Sequence, residues 1–193
     1  MWIIAGLGNP GREYEETRHN YGFLLIDQLC RKWGVSLSKT TPHAVFEVVS
    51  RSQNKVVLVK PLTYMNRSGL ALKELLRHFN ASIEDLIVAH DDLDLSFGMV
   101  KMRRQGGPGS HNGVASIVEQ LDSTAFGRIR FGIGPRPQNW SGVDYVLAPF
   151  EDDEVPVVKK ILDRTAEATE ILMARGFLFA MNTLNRKEME SRE

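Results

Sequence analysis

The chain is constrained most by an alternation. Short apolar runs of strand length take turns with segments whose apolar residues recur at helical spacing. WIIAGLG (2–8) is the first apolar run and ends in glycines. NYGFLLIDQLCRKWG (20–34) follows, with Phe23, Leu24, Ile26, Leu29, Cys30 and Trp33 on one helical face and Gly34 placed to stop the helix. AVFEVVS (44–50) and KVVLVKP (55–61) flank a polar turn and predict a hairpin. A helix is predicted over 67–80, an acid-ended strand over 85–95 and a further strand over 99–105. The spacing then predicts a helix over 110–122, a strand over 127–134, a long helix over 151–176 with an acidic first turn, and a shorter helical segment. The polar tail NRKEMESRE is expected to fray. This order predicts an α/β fold: one domain over 1–193, with a mixed twisted β-sheet sandwiched between α-helices.

Composition removes several alternatives. A chain of 193 residues suits one core without staples. The single cysteine, Cys30, forbids an internal disulfide and points to a reducing compartment, so a cytoplasmic location is expected. No apolar run reaches the roughly 18 residues of a membrane span, and the N-terminus reads as a strand, not a leader. Lys+Arg and Asp+Glu balance at 24 each, which argues against a general nucleic-acid coat. A local basic patch remains compatible with that balance.

GLGNPG puts Gly6, Gly8 and Gly11 in a G-x-G-x-x-G pattern after a strand, the fingerprint of dinucleotide sites. The context is wrong. Such a site needs a helix to begin at the motif, and here a polar stretch intervenes before the helical pattern begins near residue 20. The motif reads instead as a tight turn that offers Asn9 at the carboxyl edge of the sheet.

Five polar residues occupy such edge positions: Asn9 after the first strand, His19 before the first helix, Asn66 between strand and helix, Asp91 at a strand end, and Asn112 at a helix start. Each has a plain alternative. Asn66 and Asn112 could be helix caps, Asp91 a turn residue, and His19 a polar helix-start residue. Together they suit one chemistry. A carboxylate bound to one ring nitrogen leaves the other nitrogen to act on water, while asparagines bind neutral polar groups and a developing oxyanion. No G-x-S-x-G elbow is present, and Cys30 lies on an apolar helix face, so water is the expected attacker. A metal held by His90, Asp91 and Asp92 with His111 or His19 is conceivable, but no H-E-x-x-H, C-x-x-C or close histidine pair supports it.

Lys101, Arg103 and Arg104 form one basic group, and Arg128, Arg130 and Arg136 another. On strands, Lys101 and Arg103 share a face, as do Arg128 and Arg130. They form either a solvated strand face or, if the strands are neighbours, a phosphate clamp beside the glycine-rich loop.

Taken in order, GLGNPGREYEETRHNYGF, KPLTYMNRSG, VAHDDLDLSFG, GGPGSHNG and RIRFGIG make the sequence resemble the bacterial peptidyl-tRNA hydrolase family over nearly its whole length. The resemblance implies cleavage of the ester between a peptide and the 3′-terminal adenosine of tRNA, which recycles tRNA after premature drop-off from the ribosome. It implies one α/β domain and no metal or organic cofactor. No membrane and no obligate protein partner are expected, and a monomer, because no coiled coil or large apolar stripe suggests otherwise. By motif position, His19 would be the base, Asp91 the carboxylate that orients it, and Asn9 a group that distinguishes blocked substrates. Asn66 and Asn112 would bind the peptide end and the reacting region, with Tyr14, Tyr64 and Met65 along the substrate channel. Lys101, Arg103 and Arg130 would contact the acceptor stem. Tyr64 stands where Phe is usual, Asp92 where Glu is usual, and Ser110 where Gly is usual. The last departure bears on how the loop opens. Non-catalytic RNA-binding relatives on the same fold supply the alternative reading.

Overall fold

The computed structural model describes residues 1–186; the tail expected to fray lies mostly outside these residues, at 187–193. Seven strands are formed: β1 (Trp2–Gly6), β2 (Lys39–Thr40), β3 (Ala44–Arg51), β4 (Asn54–Pro61), β5 (Leu86–Ser96), β6 (Val100–Arg103) and β7 (Gly127–Gly134). They make one sheet in the order β2-β3-β4-β1-β5-β7-β6. The central strands β4, β1, β5 and β7 are parallel neighbours, while β2, β3 and β6 add antiparallel edges. The mixed sheet predicted from the alternation is therefore present. The parallel strands all end at one edge, and the residues that follow β1 and β4 meet there.

Among the described residues six α-helices cover the sheet: α1 (Tyr21–Trp33), α2 (Ser68–Phe79), α3 (Asn112–Leu121), α4 (Gly142–Leu147), α5 (Val155–Arg175) and α6 (Phe177–Arg186). The two-residue period of the strands divides the core. Ile4, Leu58 and Ala89 pack against α1, α5 and α6 on one face. Ile3, Ala5, Val57 and Val88 pack against α2 and α3 on the other.

The glycines of the misleading motif act in packing. A β-carbon on Gly6 would lie 2.0 Å from the carbonyl oxygen of Gly22. The start of α1 can thus rest directly on the end of β1, where Phe23 N–H donates to the Leu7 carbonyl at 3.2 Å. This contact, not a phosphate, accounts for the glycine.

Several boundaries correct the sequence reading. The acidic run 151–154 precedes α5 instead of forming its first turn. Asn112 is the first residue of α3 and does not cap it; His111 is the cap. Asn66 lies within a 3-10 turn, Met65–Arg67, and α2 begins without a side-chain cap. The short helix α4 and the turns Arg12–Tyr14 and Arg18–Asn20 were not foreseen, because segments this short show little periodicity.

Candidate active site

His19 owes its position to its neighbours. It sits in the 3-10 turn Arg18–Asn20, between two buried residues. The Arg18 guanidinium donates to the Pro149 carbonyl at 2.5 Å and to Glu154 at 2.6 Å, and lies over the Tyr145 ring. Asn20 grips the Asn9 backbone in both directions: its Oδ1 accepts the Asn9 N–H at 2.8 Å and its Nδ2 donates to the Asn9 carbonyl at 3.0 Å. The turn is fixed on either side, and the His19 ring is directed at Asp91.

Asp91 belongs to β5 and is buried. Its carboxylate receives two imidazoles: Nδ1 of His19 lies 3.0 Å from each oxygen, and Nε2 of His111 lies 2.9 Å from Oδ1. An ionised carboxylate only accepts, so both rings donate. The tautomer of His111 is fixed independently, since its Nδ1 accepts the Val114 N–H at 3.3 Å as the cap of α3. His19 is left with Nε2 as its lone pair, on a residue that lines the cleft. Burial alone would push the Asp91 carboxyl up, but charge and hydrogen bonds from His19 and His111 hold it far below the usual carboxylate range. The donor atoms of His19, Asp91 and His111 all lie within 4.8 Å of one another, a set that could be imagined around a metal. Their 2.9–3.0 Å N···O separations are those of hydrogen bonds, with the carboxylate between the two rings.

A third ring stands behind this pair. His90 is buried with its centroid 4.8 Å from that of His111. Its Nδ1–H donates to the Asp91 carbonyl at 2.6 Å, and its Nε2 is buried without a hydrogen-bond partner among the described residues. Burial first, and then the His111 ring beside it, push its pKa down to about 3, against the opposing pull of Asp91 and Asp92. His90 is therefore neutral at pH 7. An unfolded chain would bind this proton near pH 6.5, so His90 subtracts stability as pH falls from about 6.5 toward 3, with a slope approaching about 1.4 kcal/mol per pH unit. We expect urea denaturation at pH 5 and pH 7 to show a smaller difference for His90→Asn than for wild type. Equal differences would mean that His90 is charged in the folded protein.

The cleft has a volume of about 380 Å³. Of the eleven candidates read from the sequence, it brings together His19, Asp91, Asn112, Arg103 and Arg130. Asn9, Tyr14, Tyr64, Met65, Asn66 and Lys101 do not line it. Asn9 is nevertheless tied to the next group, because its Oδ1 accepts the Met65 N–H at 2.9 Å. That bond turns the Asn9 amide so that its NH₂ remains to donate. Tyr64 and Asn66 flank Met65 and are exposed, and Tyr14 is half-buried. Met65 corrects its expected place along a channel. Its side chain is only 3% exposed, and a β-carbon on Gly113 would lie 2.5 Å from its sulfur. It supports the start of α3 from beneath.

The basic strands are neighbours, with Lys101 opposite Arg130 and Arg103 opposite Arg128. All four side chains share one sheet face, as a clamp requires. Arg130 is held by Asp92, its Nε donating to Oδ2 at 2.6 Å. Arg128 is buried beneath the glycine-rich loop, and burial, with Arg130 beside it, pushes its pKa down to about 10. Sequence reasoning missed the pairing of His111 with Asp91 and the anchoring by Asn20. The sequence sets His111 beside Asp91 only as a conceivable metal ligand, and the one signal for Asn20 is that it adjoins His19.

A buried carboxylate orienting an imidazole at the open edge of a mixed α/β sheet is the arrangement of a hydrolase that works with a histidine base. The comparisons with known proteins agree. The family model described as peptidyl-tRNA hydrolase matches residues 3–192. The peptidyl-tRNA hydrolase of Bacillus subtilis is 43% identical over 187 residues, covering 97% of this chain and all of that protein. That of Bacillus pumilus is 45% identical over 188 residues, with the same coverage of both chains. A crystal structure of peptidyl-tRNA hydrolase from Acinetobacter baumannii aligns with a TM-score of 0.89 and 34% identity, over 96% of this chain and 94% of that one. The chain belongs to the peptidyl-tRNA hydrolase family.

Proposed function

We propose that this chain hydrolyses the ester bond of peptidyl-tRNA, releasing peptide and free tRNA, with His19 as the base. The observation that carries the reading is the His19–Asp91 contact at 3.0 Å, which leaves Nε2 of His19 as a lone pair at the cleft. Nε2 takes a proton from water, and the water oxygen forms a bond to the ester carbonyl. Asparagine side chains or backbone N–H groups hold the oxyanion. The C–O bond to the ribose breaks, and the proton passes from His19 to the leaving 3′ oxygen.

The remaining roles follow from placement. The Asn9 amide NH₂ is placed to donate to the acyl carbonyl oxygen that only a blocked substrate carries. Asn66 and Asn112 are exposed near the same edge and bind the peptide end and reacting region, with Tyr14 and Tyr64 flanking them. Arg103 and Arg130, on the cleft wall, bind acceptor-stem phosphate, with Lys101 next to Arg130 in register. The protein acts as a cytoplasmic monomer in this reading. No helix among the described residues is long and apolar enough to cross a membrane. A non-catalytic RNA-binding role would give the arrangement of His19 and His111 on the buried Asp91 carboxylate no task.

The test is release of the acyl group from N-acetyl-aminoacyl-tRNA, compared with the unacetylated substrate. Fast cleavage of the blocked substrate and weak cleavage of the free one are expected. No cleavage by the folded protein would move it to the RNA-binding class.

A further inference from the structure

The four basic residues of β6 and β7 form one patch in sequence but do not perform one task. The Arg128 guanidinium does not reach solvent; the residue is 3% exposed. Its two terminal nitrogens donate separately, one to the Gly107 carbonyl and one to the Gly106 carbonyl. Its face lies 4.6 Å from the centre of the Phe126 ring. Among the described residues the loop's other support is slight: the His111 N–H donates to Pro108 at 3.3 Å, and a β-carbon on Gly107 or Gly109 would meet nothing within 4 Å. A segment of Gly106, Gly107, Pro108 and Gly109 has few side chains with which to hold itself. It leads directly to His111 and Asn112, which meet Asp91 and the cleft.

We infer that Arg128 is a positioning residue that fastens the loop Gly106–Ser110 to β7, and so holds His111 and Asn112 in register with Asp91, and that it is not a phosphate contact. A planar fork donating to two successive carbonyls fixes both the height and the direction of the loop; an ammonium could not make both bonds in that geometry. Arg128 borders the cleft together with Arg103 and Arg130, but both its terminal nitrogens are committed to the loop carbonyls, so Arg103 and Arg130 are left to face the phosphate. This division rests on the reading given under Proposed function.

The test compares Arg128→Lys with Arg103→Ala. For Arg128→Lys we expect kcat/KM on N-acetyl-aminoacyl-tRNA to fall about tenfold to a hundredfold, mostly in kcat, from misplacement of the loop. The salt dependence of tRNA binding should keep its wild-type slope, and the amides of 105–111 should exchange hydrogen faster. Arg103→Ala should do the opposite: a flatter salt slope by about one, with loop exchange unchanged. An Arg128→Lys slope flattened like that of Arg103→Ala would make Arg128 a phosphate contact and overturn the assignment. So would wild-type kcat with unchanged exchange. If Arg103→Ala kept the wild-type slope while Arg128→Lys behaved as expected, the phosphate reading would fail and the anchor would stand. Nitrogen NMR of wild-type arginine side chains decides independently of whether the lysine variant folds. Hindered rotation of the Arg128 guanidinium supports the anchor, and free rotation overturns it.

Discussion

His19→Ala is expected to lower kcat on N-acetyl-aminoacyl-tRNA by about 10² to 10⁴, the usual worth of a placed general base, while tRNA binding stays near wild type. The ring is held from one side only. Its Nδ1 meets Asp91, and its side chain is 12% exposed. Removing it opens space at the cleft, and the Asp91 carboxylate keeps the Nε2–H of His111 as a donor. The loss should therefore appear in turnover and not in folding. Single-turnover release with enzyme in excess, alongside a binding titration with deacylated tRNA, separates the two. Turnover within threefold of wild type would remove His19 from the mechanism.

Asp91→Asn is expected to cost as much or more, about 10³ to 10⁴ in kcat, through the tautomer of His19. His111 is committed to Nε2–H because its Nδ1 caps α3. An asparagine has one accepting oxygen for two donating rings. When its carbonyl accepts from His111, its NH₂ faces His19 and forces Nδ1 to become the acceptor. The proton then sits on Nε2, where the lone pair for water should be. Imidazole nitrogen shifts in the variant should show His19 in the Nε2–H form. An unchanged tautomer with full activity would show that the carboxylate does not set the ring's proton.

Much of this was legible in the sequence where a residue's signal was local. The 3.6 period of 20–34 and the glycine after it gave α1 almost to its ends, because an amphipathic face and a left-handed cap are both encoded nearby. His19 and Asp91 were legible as a pair only because their types suit one chemistry. What joins them is the adjacency of β1 and β5, and no spacing encodes that. Met65 shows the opposite failure. Its neighbours Tyr64 and Asn66 are exposed, and nothing local says that the residue between them turns inward under Gly113. Arg128 and Arg130 look alike two positions apart on one strand. Both border the cleft, but only the first has its terminal nitrogens committed to the loop above it, which makes one an anchor and leaves the other to face the phosphate.

The order of strands also sets when activity can arise during synthesis. β1 lies between β4 and β5, so the first strand made has no neighbour until residue 54 onward has emerged, and lacks its second until β5. Parallel pairing over such distances in sequence closes large loops before any contact repays them, and it forms slowly. The cleft needs still more chain: Arg128 and Arg130 on β7, and then Pro149 and Glu154 to fix the turn that carries His19. A nascent copy interrupted between about residues 112 and 154 would hold His19, Asp91 and His111 and yet lack a working site. An enzyme that frees tRNA from unfinished chains would thus gain nothing from its own unfinished chains.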